Sequence, residues 1–343
     1  MTGAGMAIAA RTETAEIGSS PVDRLFALVA GDMAATDRAI HERMGSSIAL
    51  IPDLARHLID SGGKRLRPLL TLATARLCGY EGRHHVNLAA AVEFIHSATL
   101  LHDDVVDASS LRRGKIAANV VWGNKPTILV GDFLFSQAFK LMVESGSMRV
   151  LDILASASAI IAEGEVLQLK SANNLATTEA DYLHVVSAKT AALFAAAAEA
   201  GATIASAAPH VAEAFRIYGE NLGVAFQLVD DALDYSGRQA QMGKSVGDDF
   251  REAKVTLPVI LALERADDDD RRFWRRVIEA GLQQDGDLRH AIACVEETGA
   301  IRETQDRARR YADLARAALA PVPTGHLRDA LIDVADFCVG RVY

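Results

Sequence analysis

The sequence predicts one all-α domain, a bundle of long helices around a central cavity, and three observations carry that prediction. Apolar residues recur at helical spacing almost everywhere from Val22 onward. Short Gly/Ser/Asn breakers separate segments long enough for helices of about 20 residues, which span ~30 Å. Strand-like alternation is scarce, and eight prolines in 343 residues argue against a sandwich of many short strands.

The segments follow in order. Residues 1–20 are rich in Ala, Thr, Gly and Ser, lack the basic start and apolar run of a secretory signal, and carry Glu13 and Glu16, which argue against a transit peptide. They read as a frayed tail before a single helical domain at 21–343. Leu25, Leu28 and Val29 mark the first helical face. Breakers then fall at Ser61-Gly62-Gly63, Gly79 to Gly82, Gly123-Asn124, Ser145-Gly146, Ser171 to Asn174 and Ser236-Gly237. Leu151, Ile153, Leu154 and Ile161 mark one long helix between them, and Phe215, Tyr218, Leu222, Ala225 and Val229 another. The small-residue stretch from Leu193 toward Ala208, with its Ala195 to Ala198 run, predicts close helix packing in the core or at a dimer interface. The acidic run Asp267 to Asp270 precedes Arg271-Arg272 in a segment of little apolar content and reads as a solvated loop or helix start rather than a metal site.

Composition narrows the function classes. Half of the residues are hydrophobic against a net charge of −9, which excludes disorder. No uncharged apolar stretch approaches the roughly 18 residues of a membrane span. The acidic balance disfavours a general nucleic-acid binder. Cys78, Cys294 and Cys338 are scattered, odd in number and without metal-ligand spacing, the pattern of a reduced, cytoplasmic chain.

Two aspartate clusters carry the chemistry: Asp103-Asp104-Val105-Val106-Asp107 and Asp230-Asp231-Ala232-Leu233-Asp234. On a helix the first and last Asp of each lie on one face, one turn apart. Such carboxylates repel each other within apolar runs, so something positive must hold them. A hard divalent cation with oxygen ligands fits, and Mg²⁺ keeps open positions for phosphate oxygens. Chance supplies roughly 0.1 copies of DDxxD in a chain of this length and composition, so a single copy is weak evidence and two on separate helices are much stronger. The alternative for either cluster alone is an N-cap with exposed first-turn acids.

Cations accompany the acids. Gly62-Gly63-Lys64-Arg65-Leu66-Arg67-Pro68 places basic groups on a glycine-relieved turn, where backbone can approach an anion. It is not a Walker loop. Arg112-Arg113-Gly114 follows the first acidic cluster, and Arg suits bidentate phosphate recognition. His96 lies two turns before Asp103, while Lys189, Lys244 and Lys254 add scattered cations. No Ser/His/Asp set and no cysteine nucleophile is evident.

Taken in order, Gly62 to Pro68, the two DDxxD clusters, Arg112-Arg113-Gly114 and Gly243-Lys244-Ser245-Val246-Gly247-Asp248-Asp249 followed by Lys254-Val255-Thr256-Leu257-Pro258 resemble the trans-isoprenyl diphosphate synthases. The match runs from about Val22 to the C-terminus. The resemblance implies an all-α homodimer that uses Mg²⁺ to condense isopentenyl diphosphate with an allylic diphosphate, head to tail. It implies that Asp103, Asp107 and Asp230 ligate the metal, with Asp104, Asp231 and Asp234 completing the catalytic clusters alongside Lys189. By the same resemblance Arg112, Lys189, Thr190, Gln227, Lys244 and Lys254 hold the allylic diphosphate, and Lys64, Arg67, His96 and Arg113 the isopentenyl diphosphate. One departure is visible, Ala253 before Lys254 where the family often has Gly; since Ala tolerates helix well, little effect is expected beyond a possible change in loop closure.

In this family small residues just before the first cluster go with longer products. Ala98 and Thr99 therefore imply a long-chain synthase of the octaprenyl-to-decaprenyl kind that supplies quinone side chains, with Phe133 and Phe135 as candidates for a deeper floor. A floor that stops growth earlier, as in farnesyl or geranylgeranyl diphosphate synthases, remains open. So do a non-catalytic partner subunit, although such subunits tend to lose the acidic motifs, and a di-iron bundle using Glu93-Phe94-Ile95-His96. The last wants a second ExxH; the nearest candidate, Asp181-Tyr182-Leu183-His184, has Asp instead and leaves Lys64, Arg67, Arg112 and Arg113 without a role.

Overall fold

The structure, a computed structural model, describes residues 20–236 and 246–340. Of the sequence expectations, the breaker Gly237, the motif residues Gly243, Lys244 and Ser245, and all of the tail read at 1–20 except Ser20 fall outside the described residues.

Helices dominate. The chain opens with α1 (Pro21–Leu28), α2 (Ala30–Arg43), α3 (Leu50–Ile59), α4 (Leu66–Leu77) and the long α5 (His84–Val106). Then come α6 (Ala118–Trp122), α7 (Asn124–Glu144), α8 (Met148–Ser171), α9 (Glu179–Val186), α10 (Ala192–Ile204) and α11 (Pro209–Asp234). The remainder comprises α12 (Asp248–Arg251), α13 (Leu257–Arg265), α14 (Asp268–Trp274), α15 (Asp287–Glu297), α16 (Ala300–Ala318) and α17 (His326–Gly340). A two-stranded hairpin, β1 (Leu111–Arg112) with β2 (Lys115–Ile116), follows α5.

Local chemistry sets the boundaries. Ser20 caps α1 in a reciprocal box with Asp23, and Pro21 occupies the first turn, where a missing N–H costs nothing. Thr178 and Asp181 form the same box on α9. Asp267 accepts from the amides of Asp269 and Asp270, so the acidic run is a helix start, as its sequence suggests. The π-helical turns Ser187–Ala191 and Arg275–Glu279 interrupt what the periodicity reads as continuous helix.

Three groups of buried side chains fill the interior. The first joins Leu88, Phe94 and Ile95 of α5 to Leu134, Ala138 and Leu141 of α7 and Leu154 of α8. The second gathers Leu69 of α4, Phe194 of α10, Phe215 and Tyr218 of α11, and Leu331 of α17. The third sits under the second acidic cluster, with Leu228, Tyr235, Trp274 and Val295. Full burial of one such Leu or Phe contributes about 1.5–3 kcal/mol.

The small-residue stretch resolves in favour of the core. Ala195 to Ala198 are all buried within one chain. Here α10 packs so closely that a Cβ on Gly219 of α11 would lie 2.4 Å from the Phe194 carbonyl oxygen, and one on Gly201 2.3 Å from that of Thr71. Backbone atoms cannot yield that space, so only glycine permits the approach.

Two helical stretches, Asn124–Glu144 and Glu179–Ile204, do reach membrane-span length with a mean hydropathy of 1.2, counting interspersed charges. The second is 78% buried inside the fold, as a core helix is. The three cysteines are free thiols.

Candidate active site

The first acidic cluster closes α5. Its apolar body, Leu88 to Ala98, is buried, and Asp107 stands at its C-cap. The chain then turns through the hairpin, where Arg113 and Gly114 carry φ of 51° and 75°, the two-residue turn that matches strand twist. This fold-back brings Arg112 onto Asp104, with Nε and Nη2 at 2.7 and 2.6 Å from Oδ1. Asp104 is buried, and burial raises its carboxyl against the opposing pull of Arg112. Asp103 instead meets Lys189 Nζ at 3.5 Å, and Asp107 meets Lys254 Nζ at 3.4 Å.

The second cluster closes α11. Asp231 is buried and accepts from Tyr182 Oη at 2.5 Å and Gln227 Nε2 at 2.7 Å; burial pushes its carboxyl up to about 7 despite those donors. Gln227 in turn accepts from Thr190 Oγ1 at 2.8 Å. Asp234 caps the returning segment, accepting from the amides of Gly247, Asp248 and Asp249 at 3.0 to 3.2 Å. Asp230 is exposed. Asp104, Asp231 and Asp234 are thus committed to protein donors, whereas Asp103 and Asp107 meet only flexible lysines in the bonds described here.

Both clusters face one cavity of about 370 Å³, whose wall includes Asp107, Asp231, Lys189, Thr190, Gln227 and Lys254. Apolar Val106, Leu169, Val185 and Val186 line it as well. The π-helical turn Ser187–Ala191 carries Lys189 and Thr190; such bulges re-aim side chains at functional sites.

A basic cluster adjoins α5. Arg67 is stacked over the Phe194 ring at 4.3 Å, with Nη1 3.3 Å from His96 Nε2. Burial pushes the Arg67 guanidinium down to about 10, and burial with Arg67, Arg113 and Arg112 nearby holds His96 well below its usual range, so the imidazole is neutral. Arg113 donates to the Gly62 carbonyl and lies against Gly63, where a Cβ would come within 2.9 Å of Nη1. Gly62 and Gly63 have φ of 90° and 143°, the glycine-relieved turn expected there. Lys64 lies apart from this cluster, exposed, with Nζ 5.2 Å over Phe337 of α17. The Arg67–His96 contact puts a cation where a di-iron reading of Glu93 and His96 needs a metal.

Further residues join the site beyond those the sequence points to. Glu165 of α8 accepts from Lys189 at 2.7 Å and lines the cavity, its carboxyl raised by burial and by Asp103. Tyr182, Asp249 and Glu252 line it too. Asp249 belongs to the Gly247-Asp248-Asp249 segment noted in the sequence, but Glu165 and Tyr182 sit in no motif. Ala253 departs from the helix expected of it: its φ is +52°, left-handed, a conformation that costs an L-residue about 1–2 kcal/mol and that directly precedes Lys254. Ala98 is fully buried in the α5–α7 core, while Thr99 is partly exposed and donates to the His96 carbonyl at 2.8 Å. Phe133 and Phe135 are partly buried against that core, and Phe135 stacks on His102 at 6.3 Å.

This arrangement coincides with a family match: the polyprenyl synthetase model covers residues 48–295. The chain belongs to the polyprenyl synthetase family. It is 43% identical over 324 residues to octaprenyl diphosphate synthase of Escherichia coli K12, covering 93% of this chain and 99% of that one. A decaprenyl diphosphate synthase structure from Rhodobacter capsulatus superposes with a TM-score of 0.91 at 57% identity, covering 94% and 100% of the two chains. A polyprenyl synthase of Caulobacter crescentus CB15, complexed with calcium and isoprenyl diphosphate, gives 0.91 at 55% identity over 94% and 99%. The protein is a prenyltransferase, a polyprenyl diphosphate synthase with the all-α fold expected, and the family uses divalent metal.

Proposed function

We propose that this synthase condenses isopentenyl diphosphate with an allylic diphosphate, head to tail, to make a long all-trans polyprenyl diphosphate for a quinone side chain in the cytoplasm. The observation that carries the reading is the shared cavity: Asp107 from one acidic helix and Asp231 from the other line it together with Lys189 and Lys254. Its wall holds five carboxylates, Asp107, Glu165, Asp231, Asp249 and Glu252, against those two lysines. That excess of hard oxygen donors fits a divalent cation, and Glu165 Oε1 is a buried acceptor with no hydrogen-bond donor.

Asp103, Asp107 and Asp230 would hold Mg²⁺, which when bound would supply positive charge for the departing diphosphate. Lys189 and Lys254, which pair here with Asp103 and Asp107, offer positive charge to the diphosphate oxygens, assisted by Arg112 and, through hydrogen bonds, by Thr190 and Gln227. Lys244 joins this set by its place in the motif. Arg67, Arg113 and neutral His96 orient the second diphosphate, with Lys64 at the rim. Val185 and Val186 keep from the allylic cation the water that would quench it, with Val106 and Leu169 at the exposed rim. Small Ala98 and Thr99 leave room for a growing chain. Incubation with both diphosphates, with Mg²⁺ or with EDTA, tests the reading: prenyl alcohols of C40 to C50 after dephosphorylation support it, and products of C20 or shorter, or none with Mg²⁺ present, sink it.

The functional unit is a homodimer in this reading. Leu129, Phe139 and Val143 form one exposed stripe of α7, at 66%, 43% and 64% exposure, continued by Met148 of α8 at 77%. Apolar surface of this kind marks an interface. Leu129→Glu is expected to shift light-scattering mass from dimer to monomer; an unchanged mass in both wild type and variant argues against it.

A further inference from the structure

Outside the active-site cavity, three side chains of different chemistry converge. Asp270 rises from the first turn of α14, and His290 and Cys294 project from α15 one turn apart. Their donor atoms form a near-equilateral triangle. Cys294 Sγ lies 3.4 Å from Asp270 Oδ1 and 3.6 Å from His290 Nε2, and His290 Nε2 lies 3.7 Å from the same Asp270 oxygen. Among the described residues this is the one such cluster of His, Cys and acidic donors.

Those edges decide between two accounts. Hydrogen-bonded pairs do not require all three atoms to be mutually equidistant. A tetrahedral zinc, with Zn–S near 2.3 Å and Zn–N or Zn–O near 2.0–2.2 Å, holds neighbouring donors about 3.4–3.6 Å apart. The triangle has the size of one face of that tetrahedron. Cys294 is buried, whereas the side chains of His290 and Asp270 are 53% and 30% exposed, so an ion has a path in and the fourth position faces water. Phe273 packs edge-on against the His290 ring at 4.4 Å and holds its orientation.

We propose that Asp270, His290 and Cys294 form a binding site for a thiophilic divalent cation of the zinc type, separate from the aspartate clusters. Binding releases the Cys294 thiol proton to solvent and leaves the metal with one sulfur, one nitrogen and one oxygen ligand and an open position. Mg²⁺ is a poor occupant because a thiolate is too soft a ligand for it. The site ties α14 to α15 across the turn in which Gln283 Nε2 donates to the Phe250 carbonyl at 2.7 Å, so it braces the segment that carries Lys254 from behind.

The test uses the full chain, stripped with EDTA and dialysed into excess Mg²⁺ to occupy the aspartate clusters. Titration with Co²⁺ is expected to give a thiolate-to-cobalt charge-transfer band with tetrahedral visible bands, saturating at about one ion per chain and bleached by Zn²⁺. Cys294→Ser is expected to abolish the charge-transfer band, His290→Ala to weaken Co²⁺ binding at least about tenfold, and Cys78→Ser to change nothing. Zn²⁺ should raise the Tm of wild type and Cys78→Ser but not of His290→Ala. No charge-transfer band in wild type, or a band retained in Cys294→Ser, overturns the proposal; if Cys294→Ser fails to fold, full-strength binding in His290→Ala does so.

Discussion

Lys254 Nζ lies 3.4 Å from Asp107 Oδ2, joining residues 147 positions apart across the cavity. Burial opposes charge on this lysine, but Asp107, Glu252 and Asp249 outweigh it and hold the ammonium above its usual range. Lys254 is therefore charged at any working pH, and it fills the place of a positive group between carboxylates.

Replacing that charge should cost the reaction more than the fold. Lys254→Met is expected to lower kcat/KM by about 10²-fold, the usual consequence of losing one preorganised charge at a leaving group. Steady-state kinetics with varied allylic diphosphate check this. Retained kcat/KM means the lysine serves only to balance Asp107.

Glu165 competes with Asp103 for Lys189, at 2.7 Å against 3.5 Å. Glu165→Gln removes the stronger partner and leaves the ammonium to Asp103, where it opposes a metal. The half-saturating Mg²⁺ concentration is expected to rise severalfold, on the order of 3- to 10-fold, with kcat at saturating Mg²⁺ changed less. A Mg²⁺ titration of initial rates reads this directly.

Chain length should respond differently at two adjacent positions. Ala98 is fully buried in the α5–α7 core, so Ala98→Phe both shortens the product and destabilises the fold by about 1–3 kcal/mol through overpacking. Thr99 is partly exposed, so Thr99→Phe shortens the product at little cost in stability. Chromatography of the prenyl alcohols and thermal melts separate the two effects; unchanged lengths in both variants remove these residues from the floor.

Acid should weaken the fold through a site remote from catalysis. Arg76 binds Asp32 through two hydrogen bonds of 2.6 and 2.7 Å and holds its carboxyl below the usual range against the effect of burial. Burial likewise lowers His85, whose Nε2 is 3.2 Å from Asp32. A histidine lowered in the folded state favours folding fully above its ordinary value of 6.5 and loses that contribution as pH falls below it. Asp32, lowered from 3.8, adds a second loss of the same sign at still lower pH. Tm should therefore fall from pH 7.5 to 5, and His85→Gln should flatten that slope. A wild-type Tm independent of pH over this range refutes the assignment.

Much of this was legible in the residues alone. Helical periodicity and glycine breakers specify helices because a 3.6-residue repeat of apolar side chains can bury one face only in that form. The DDxxD pairs, Arg112-Arg113-Gly114 and Gly62 to Arg67 announce metal and phosphate chemistry because their types and spacings are local. Which Asp of each cluster stays available was not local: Asp104 is claimed by Arg112 through the hairpin, and Asp234 by the amides of the segment returning at Gly247. Glu165, Tyr182 and the donor triangle of Asp270, His290 and Cys294 carry no signature along the chain, since Glu165, Tyr182 and Asp270 each acquire their partners from another helix. The left-handed backbone at Ala253 also escaped, because a residue's intrinsic helix preference yields wherever a tight turn must deliver its neighbour, here Lys254, to a distant carboxylate. Local patterns settled what the elements are and which chemistry they bring; only their packing decided which side chains are spent on one another and which are left for substrate.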